Sequence, residues 1–300
     1  MKEDIFNPVP QPFIDTSTTF DEADYVVFGA PLDLTGSYRR GSRFAPSSIR
    51  WASMDLEGCS LRTGLRRDEV RVSDIGDLKG SRDVEAYLEC VVKAFKFISA
   101  SGKIPVMMGG EHTVTLGALR ALRPDLVVCL DAHLDLRESL SGLRLSHATF
   151  IRRAFEELDA YFLFIGCRAF SEEELKLAEE KSERLGIVTS LDILRGGPER
   201  ALKALREALA SAFSAYLTID MDVLDPSAAP AVCNPVPEGL SVTGLLDIIT
   251  GGVNLRFRGL DLTEVTPNYD SGLTSTQAAY IILESIYALE SARTGMEQQI

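Results

Sequence analysis

No stretch of this chain approaches the ~20 consecutive apolar residues that cross a bilayer, which excludes a transmembrane helix. Positive charge is in deficit. Thirty-one Lys and Arg against 44 Asp and Glu leave a net charge of −13, which would repel a nucleic acid. The acidity fits a cationic small substrate, and it also simply keeps a protein soluble. Cysteine is sparse and odd in number: Cys59, Cys90, Cys129, Cys167 and Cys233 are scattered, with no C-x-x-C pair. That usage predicts reduced thiols in a cytoplasmic protein. The first residues, MKEDIFNPVPQPF, lack the apolar core of a signal peptide. Low-complexity tracts, long runs of like charge and internal repeats are absent. Histidine is scarce as well: His112, His133 and His147 are the only three, and none lies in an apolar core stripe.

What is present is enough for a sizeable core. Apolar residues make up 45% of 300, room for one large α/β domain or two smaller ones. Strand-like and helix-like segments alternate without a break in composition, which predicts a single domain over residues 1–300. After an irregular lead-in over 1–20, apolar runs predict strands at 25–30, 104–108, 126–130, 161–165, 215–219 and 256–262, with shorter ones from 70 and at 187–189. Helical periodicity occupies 83–101, 113–122, 171–185, 198–213, 243–250 and 274–292, and Ser47 could cap a short helix running to Met54. About eight strands separated by helices predict a three-layer α/β/α sandwich around a mainly parallel sheet. Such sheets place their sites beyond the carboxyl ends of the strands.

Three of these strands end in metal-binding chemistry. The run Leu126–Leu130 leads into Asp131-Ala132-His133-Leu134-Asp135, whose polar side chains would share one side of an extended backbone. The strand at 215–219 leads into Asp220-Met221-Asp222, and that at 104–108 into Gly109-Gly110-Glu111-His112. Six residues are thus candidate ligands: His112, Asp131, His133, Asp135, Asp220 and Asp222. Carboxylates and imidazoles without thiolate suit a borderline-hard divalent ion such as Mn²⁺, and six donors suit two ions sharing bridging carboxylates. Two M²⁺ ions against four aspartates are neutral, and a hydroxide held between them brings the cluster to about −1, attractive to a cation.

Two further residues stand open at this point. Glu264, after the strand 256–262, reads either as a surface loop glutamate or as a bidentate acceptor for a guanidinium. His147 reads either as a local cap where a helix starts or as a proton shuttle or substrate contact.

The motifs GGEHTVT (109–115), DAHLDLR (131–137), SHATF (146–150), TIDMDVLDPSAAP (218–230) and DLTEVTPNYD (261–270) resemble those of the ureohydrolase (arginase/agmatinase) family, most closely its agmatinases. GAPLDLTGSYRRGSRFAPSSIR (29–50) and DIGD (74–77) are similar to its N-terminal segments, so the resemblance spans nearly the whole chain in order. It implies an arginase-like fold and two Mn²⁺ ions per chain on the six ligands above. It implies Asp135 as holder of the attacking hydroxide and relay of its proton, His147 as the active-site histidine and Glu264 as the guanidinium acceptor. It also implies hydrolysis of a guanidino group to urea plus an amine, most simply agmatine to putrescine, in a trimer or hexamer.

The stretch 137–147 lacks the asparagine with which arginases grip an amino-acid head. The segment 231–239, AVCNPVPEG, departs from the family's glycine-rich pattern, so Asn234 or Glu238 would alter the far end of the pocket. Aminopropylagmatine therefore stands as an alternative substrate, with arginase or formiminoglutamase activity also open. A dimetal phosphoesterase is the alternative of another class. It is disfavoured because its G-N-H-[ED] segment is missing and the cluster is anionic.

Overall fold

The computed structural model describes residues 5–295. Nine strands form one sheet: β1 (Phe6–Asn7), β2 (Tyr25–Ala30), β3 (Val72–Leu78), β4 (Ile104–Gly109), β5 (Leu126–Leu130), β6 (Tyr161–Cys167), β7 (Leu185–Thr189), β8 (Ala215–Asp220) and β9 (Phe257–Thr263). Their spatial order is β1-β3-β2-β4-β9-β8-β5-β6-β7. Every pairing from β3 to β7 is parallel, and only β1 runs antiparallel, against β3. The expected eight parallel strands are therefore present. The ninth is a two-residue edge strand inside the segment read as an irregular lead-in, too short for its pattern to register in sequence.

The helices are α1 (Ala45–Ser53), α2 (Val84–Ala100), α3 (Thr115–Leu122), α4 (Phe150–Glu157), α5 (Glu172–Glu180), α6 (Ser190–Gly196), α7 (Glu199–Ser211), α8 (Val242–Gly252) and α9 (Leu273–Thr294). Alternate strand residues feed two separate cores, as a period of two requires. Leu126, Val128 and Leu130 of β5 pack with α1, α7, α8 and α9, whereas Val127 and Cys129 pack with α2, α3 and α4. Both faces of the sheet are thus covered, giving the three-layer sandwich. No helix among the described residues is long and apolar enough to cross a membrane.

Local differences from the sequence reading have physical causes. Ser47 caps nothing, because α1 already starts at Ala45, with Pro46 in its first turn. The helix expected to reach 185 stops at Glu180, and Leu185 instead opens β7. Helix α6 escaped notice because it has only seven residues, although Thr189 caps it by accepting from Asp192 N. The DIGD motif is a lock between α1 and β3. The buried Arg50 donates Nε and Nη2 to Asp74 (2.7 and 3.0 Å) and Nη1 to Asp77 (2.5 Å).

The four central strands β4, β9, β8 and β5 are consecutive neighbours and are the ones that precede the candidate residues. At about 4.8 Å per strand, their carboxyl ends fall within roughly 15 Å.

Candidate metal centre and substrate pocket

His112 arrives by a close passage. A Cβ on Gly110 would lie 2.0 Å from the Leu32 carbonyl oxygen, so only glycine lets the chain pass beneath the 32–37 loop. The buried Glu111 carboxylate then fixes that loop, accepting from Leu34 N and Thr35 N (2.6 Å each) and from the Thr35 and Thr113 hydroxyls (2.7 and 2.8 Å). His112 opens a single 3₁₀ turn. Its Nε2 stands 2.7 Å from Thr218 Oγ1, and Thr218 donates its one proton to Asp261 Oδ1 at 2.6 Å. Thr218 must therefore accept from His112, which places the ring proton on Nε2 and leaves the Nδ1 lone pair free. Asp261 is held in turn by Thr115 (2.8 Å) and the Tyr216 hydroxyl (2.7 Å).

The aspartates reach the site through turns. Asp131 Oδ1 accepts from His133 N at 2.6 Å and bends the chain just after β5; Asp135 has φ +53°. Residues 131–135 therefore do not continue the strand, contrary to the extended backbone expected from alternation. A side chain accepting from its own backbone two residues on defeats the extended conformation. Asp220 repeats the device, accepting from Asp222 N at 2.7 Å and starting the turn Met221–Val223.

These turns bring the six candidate ligands together. His112 Nδ1 is buried without a hydrogen bond, yet it faces Asp220 Oδ2 at 3.1 Å, Asp131 Oδ2 at 3.2 Å and Asp135 Oδ2 at 3.6 Å. His133 Nδ1 lies 3.0 Å from Asp222 Oδ2 and 3.6 Å from Asp131 Oδ1. Two groups result, His112–Asp131–Asp220 and Asp131–His133–Asp222, each with donor atoms within 4.8 Å of one another and with Asp131 in both. Asp135 stands beside the first group rather than inside it.

Electrostatics match a site built for cations. Burial and the neighbouring Asp131 charge push the Asp135 carboxyl up, and burial and Asp222 do the same for Asp220. Burial opposes a charged His112, but the facing carboxylates, Asp131 first, with Asp135 and Asp261 behind it, raise it to about 9. At that Nδ1 a divalent cation would compete with a proton. An orphaned imidazole nitrogen aimed at three carboxylates, with no thiolate among the donors, fits borderline-hard divalent ions.

The pocket over these groups has a volume of about 250 Å³ and is lined by Asp135, Glu264, His147, Ser37, Asn234 and Arg137 among others. Glu264 adopts φ +67°; its Oε1 accepts from His112 N at 2.6 Å, while Oε2 is buried without a partner. Burial pushes this carboxyl up to about 8. His147 is buried too, and burial lowers its imidazolium pKa. Its N donates to Thr35 Oγ1 (3.0 Å), and its Nε2 is 3.1 Å from Ser37 Oγ, which reaches Asn234 Oδ1 at 3.5 Å.

Of the two residues singled out in the unusual 231–239 segment, Asn234 lines the pocket and Glu238 does not. Ser37 belongs to the loop 33–43 that follows the first strand, which reads either as a surface loop or as part of the site mouth, and it lines the pocket; Glu111, Thr218 and Asp261 are not singled out by the sequence as site residues. Asp261 alone carried a signal, a carboxylate between Leu260 and Leu262 inside a strand.

The Arginase family model matches residues 23–287. An agmatinase of Bacillus anthracis is 35% identical over 289 residues, covering 91% of this chain and 94% of that one. An N(1)-aminopropylagmatine ureohydrolase of Thermococcus kodakarensis is 33% identical, covering 90% and 92%. The crystal structure of an agmatine ureohydrolase of Thermoplasma volcanium superposes with a TM-score of 0.87 at 35% identity, covering 98% and 99%.

Proposed function

The chain belongs to the arginase family, and from that premise and the geometry above we propose that it is a ureohydrolase releasing urea from a guanidino compound, with agmatine the preferred substrate and putrescine the amine product. The observation that carries the reading is the Glu264 oxygen left buried and unpartnered beside two metal-binding groups.

Two Mn²⁺ ions per chain would be held by His112, Asp131, His133, Asp135, Asp220 and Asp222. When bound, they supply Lewis acidity and a water acidic enough to lose a proton near neutral pH. The remaining work belongs to side chains. Glu264 Oε2 pairs with the guanidinium, and the arriving cation draws its raised pKa back down, so the carboxylate is charged when the substrate is seated. Asp135 orients the attacking water and takes up its proton. His147, kept neutral by burial, is free to accept that proton and hand it on to the leaving amine.

Substrate size and charge follow from the lining. A pocket of about 250 Å³ suits a short linear molecule. Four lining carboxylates, Asp135, Asp220, Asp222 and Glu264, outweigh Arg137, which itself lies 3.7 Å from Glu174. Aminopropylagmatine is the second reading, favoured by the unusual segment that brings Asn234 to the pocket wall. We further infer a single catalytic domain, a homo-oligomeric assembly (trimer or hexamer) and a cytoplasmic location, the last in keeping with five free cysteines.

The test is urea release from agmatine, aminopropylagmatine and arginine with added Mn²⁺. Agmatine or its aminopropyl derivative should show the highest kcat/KM. Arginine as best substrate would overturn the substrate assignment, and release of phosphate from phosphoesters without urea would overturn the activity.

A further inference from the structure

Strand β6 contributes no candidate ligand, yet its end, Gly166-Cys167-Arg168, lies directly behind one of the two metal-binding groups. Gly166 has φ +100°, and a Cβ there would meet Val223 Cγ2 at 2.5 Å, so the strand end and the 221–223 turn are in close contact. Cys167 Sγ donates to the His133 carbonyl at 3.0 Å. The Arg168 guanidinium is ringed by six carbonyl oxygens. Nη2 donates to Asp222 O (2.7 Å), Val236 O (2.8 Å) and Leu224 O (3.2 Å). Nη1 donates to Gly166 O (3.1 Å) and Val223 O (3.2 Å), and Nε to Pro237 O (2.9 Å) and Val236 O (3.3 Å). Its backbone N donates to Ala132 O at 2.9 Å.

One residue therefore joins the loop bearing Asp131 and His133, the turn bearing Asp222 and the unusual 231–239 segment. The Met221–Val223 turn has only three residues, closed by Leu224 N donating to Met221 O (3.3 Å) and tied to the next segment by Leu240 N donating to Val223 O (3.0 Å). The contact to Asp222 O fixes the plane just after the ligand and so the direction of its side chain. Arg168 makes no ion pair among the described residues; its five N–H donors all go to main-chain oxygens. The His112–Asp131–Asp220 group is secured without it, through Thr218 and Asp261.

We propose that Arg168 is a positioning residue for one ion only, the one held by Asp131, His133 and Asp222, and that it couples that ion's site to the 231–239 wall of the pocket. The proposal rests on the two-ion reading above. Outer partners of metal ligands typically set affinity by roughly tenfold to a hundredfold.

The test is Mn²⁺ titration of chelator-treated protein, followed by calorimetry and by the electron spin resonance of the metal. Unaltered protein should bind two ions and give a spin-coupled pair. Arg168→Lys keeps the charge but not the planar fork. It should retain one ion at unchanged affinity, weaken the other by roughly tenfold to a hundredfold and give the spectrum of isolated Mn²⁺ at limiting metal. Adding Asp222→Asn to Arg168→Lys should weaken the same ion further and leave the tight ion unchanged, whereas adding Asp220→Asn should leave no tight site. Equal weakening of both ions, or of neither, in a folded variant would overturn the role given to Arg168. Fewer than two ions in the unaltered protein would instead overturn the two-ion reading on which it stands.

Hydrogen exchange on the unaltered protein gives an arm that does not depend on the variant folding. Amides of 222–225 and 238–240 should open together on chelation, separately from those of 112–115. Independent opening of the first two segments would contradict the coupling.

Discussion

The two halves of the candidate metal centre are secured in opposite ways. On one side His112 is about 1% exposed and is clamped by a side-chain relay, Thr218 to Asp261, itself anchored by Thr115 and Tyr216. On the other side the His133 side chain is 27% exposed, and its neighbours are held mainly through main-chain carbonyls gathered by Arg168. The first side lies over the central strands, where buried polar groups must be satisfied by side chains because the backbone is committed to the sheet. The second lies among turns and loops, where one guanidinium collects six carbonyl oxygens, of which Val223 O is shared with Leu240 N. Asp131 belongs to both sides and is where they meet.

Substitutions that break or sharpen this contrast are expected to differ in size. Asp131→Ala should have the largest effect. It removes a donor from both groups, so metal analysis should find neither ion retained, and urea release should fall by several kcal/mol of transition-state stabilisation, on the order of a thousandfold. Retention of one ion would show that the halves are independent. Glu264→Gln keeps the shape and removes the charge that faces the guanidinium. Activity should fall by about 2–5 kcal/mol, roughly thirtyfold to several thousandfold, with metal content intact. Metal loss in that variant would mean that Glu264 belongs to the centre itself.

Asp261→Asn tests the side-chain clamp alone. Affinity for the His112-side ion should fall roughly tenfold to a hundredfold, with the other ion unchanged, the mirror image of the Arg168 variant. Ser37→Ala should have the smallest effect. It deletes one hydrogen bond to His147, about 0.5–1.5 kcal/mol, so kcat should change by about tenfold or less while both ions bind normally.

Legibility in sequence followed the same division. Buried apolar runs such as Leu126–Leu130 declared the parallel strands, and polar residues just past them declared all six candidate ligands, Glu264 included as a further candidate. The bends that aim those residues did not register, because an alternating D-x-H-x-D is equally compatible with an extended strand and with turns made by its own side chains. Thr218 was hidden because a hydroxyl inside a strand shows no period of its own, and the Asp261 carboxylate, though visible between two leucines, carries no ligand pattern. Arg168 was hidden because its partners are carbonyl oxygens, which every residue carries.

The most direct test of the account is a stepwise Mn²⁺ titration of chelator-treated protein with agmatine present, reading urea release and the metal spin resonance on the same samples. The account predicts that the rate rises mainly with the second equivalent, in step with the signal of a spin-coupled pair, and levels off at two ions per chain. Full urea release at one equivalent with no coupled signal would contradict it.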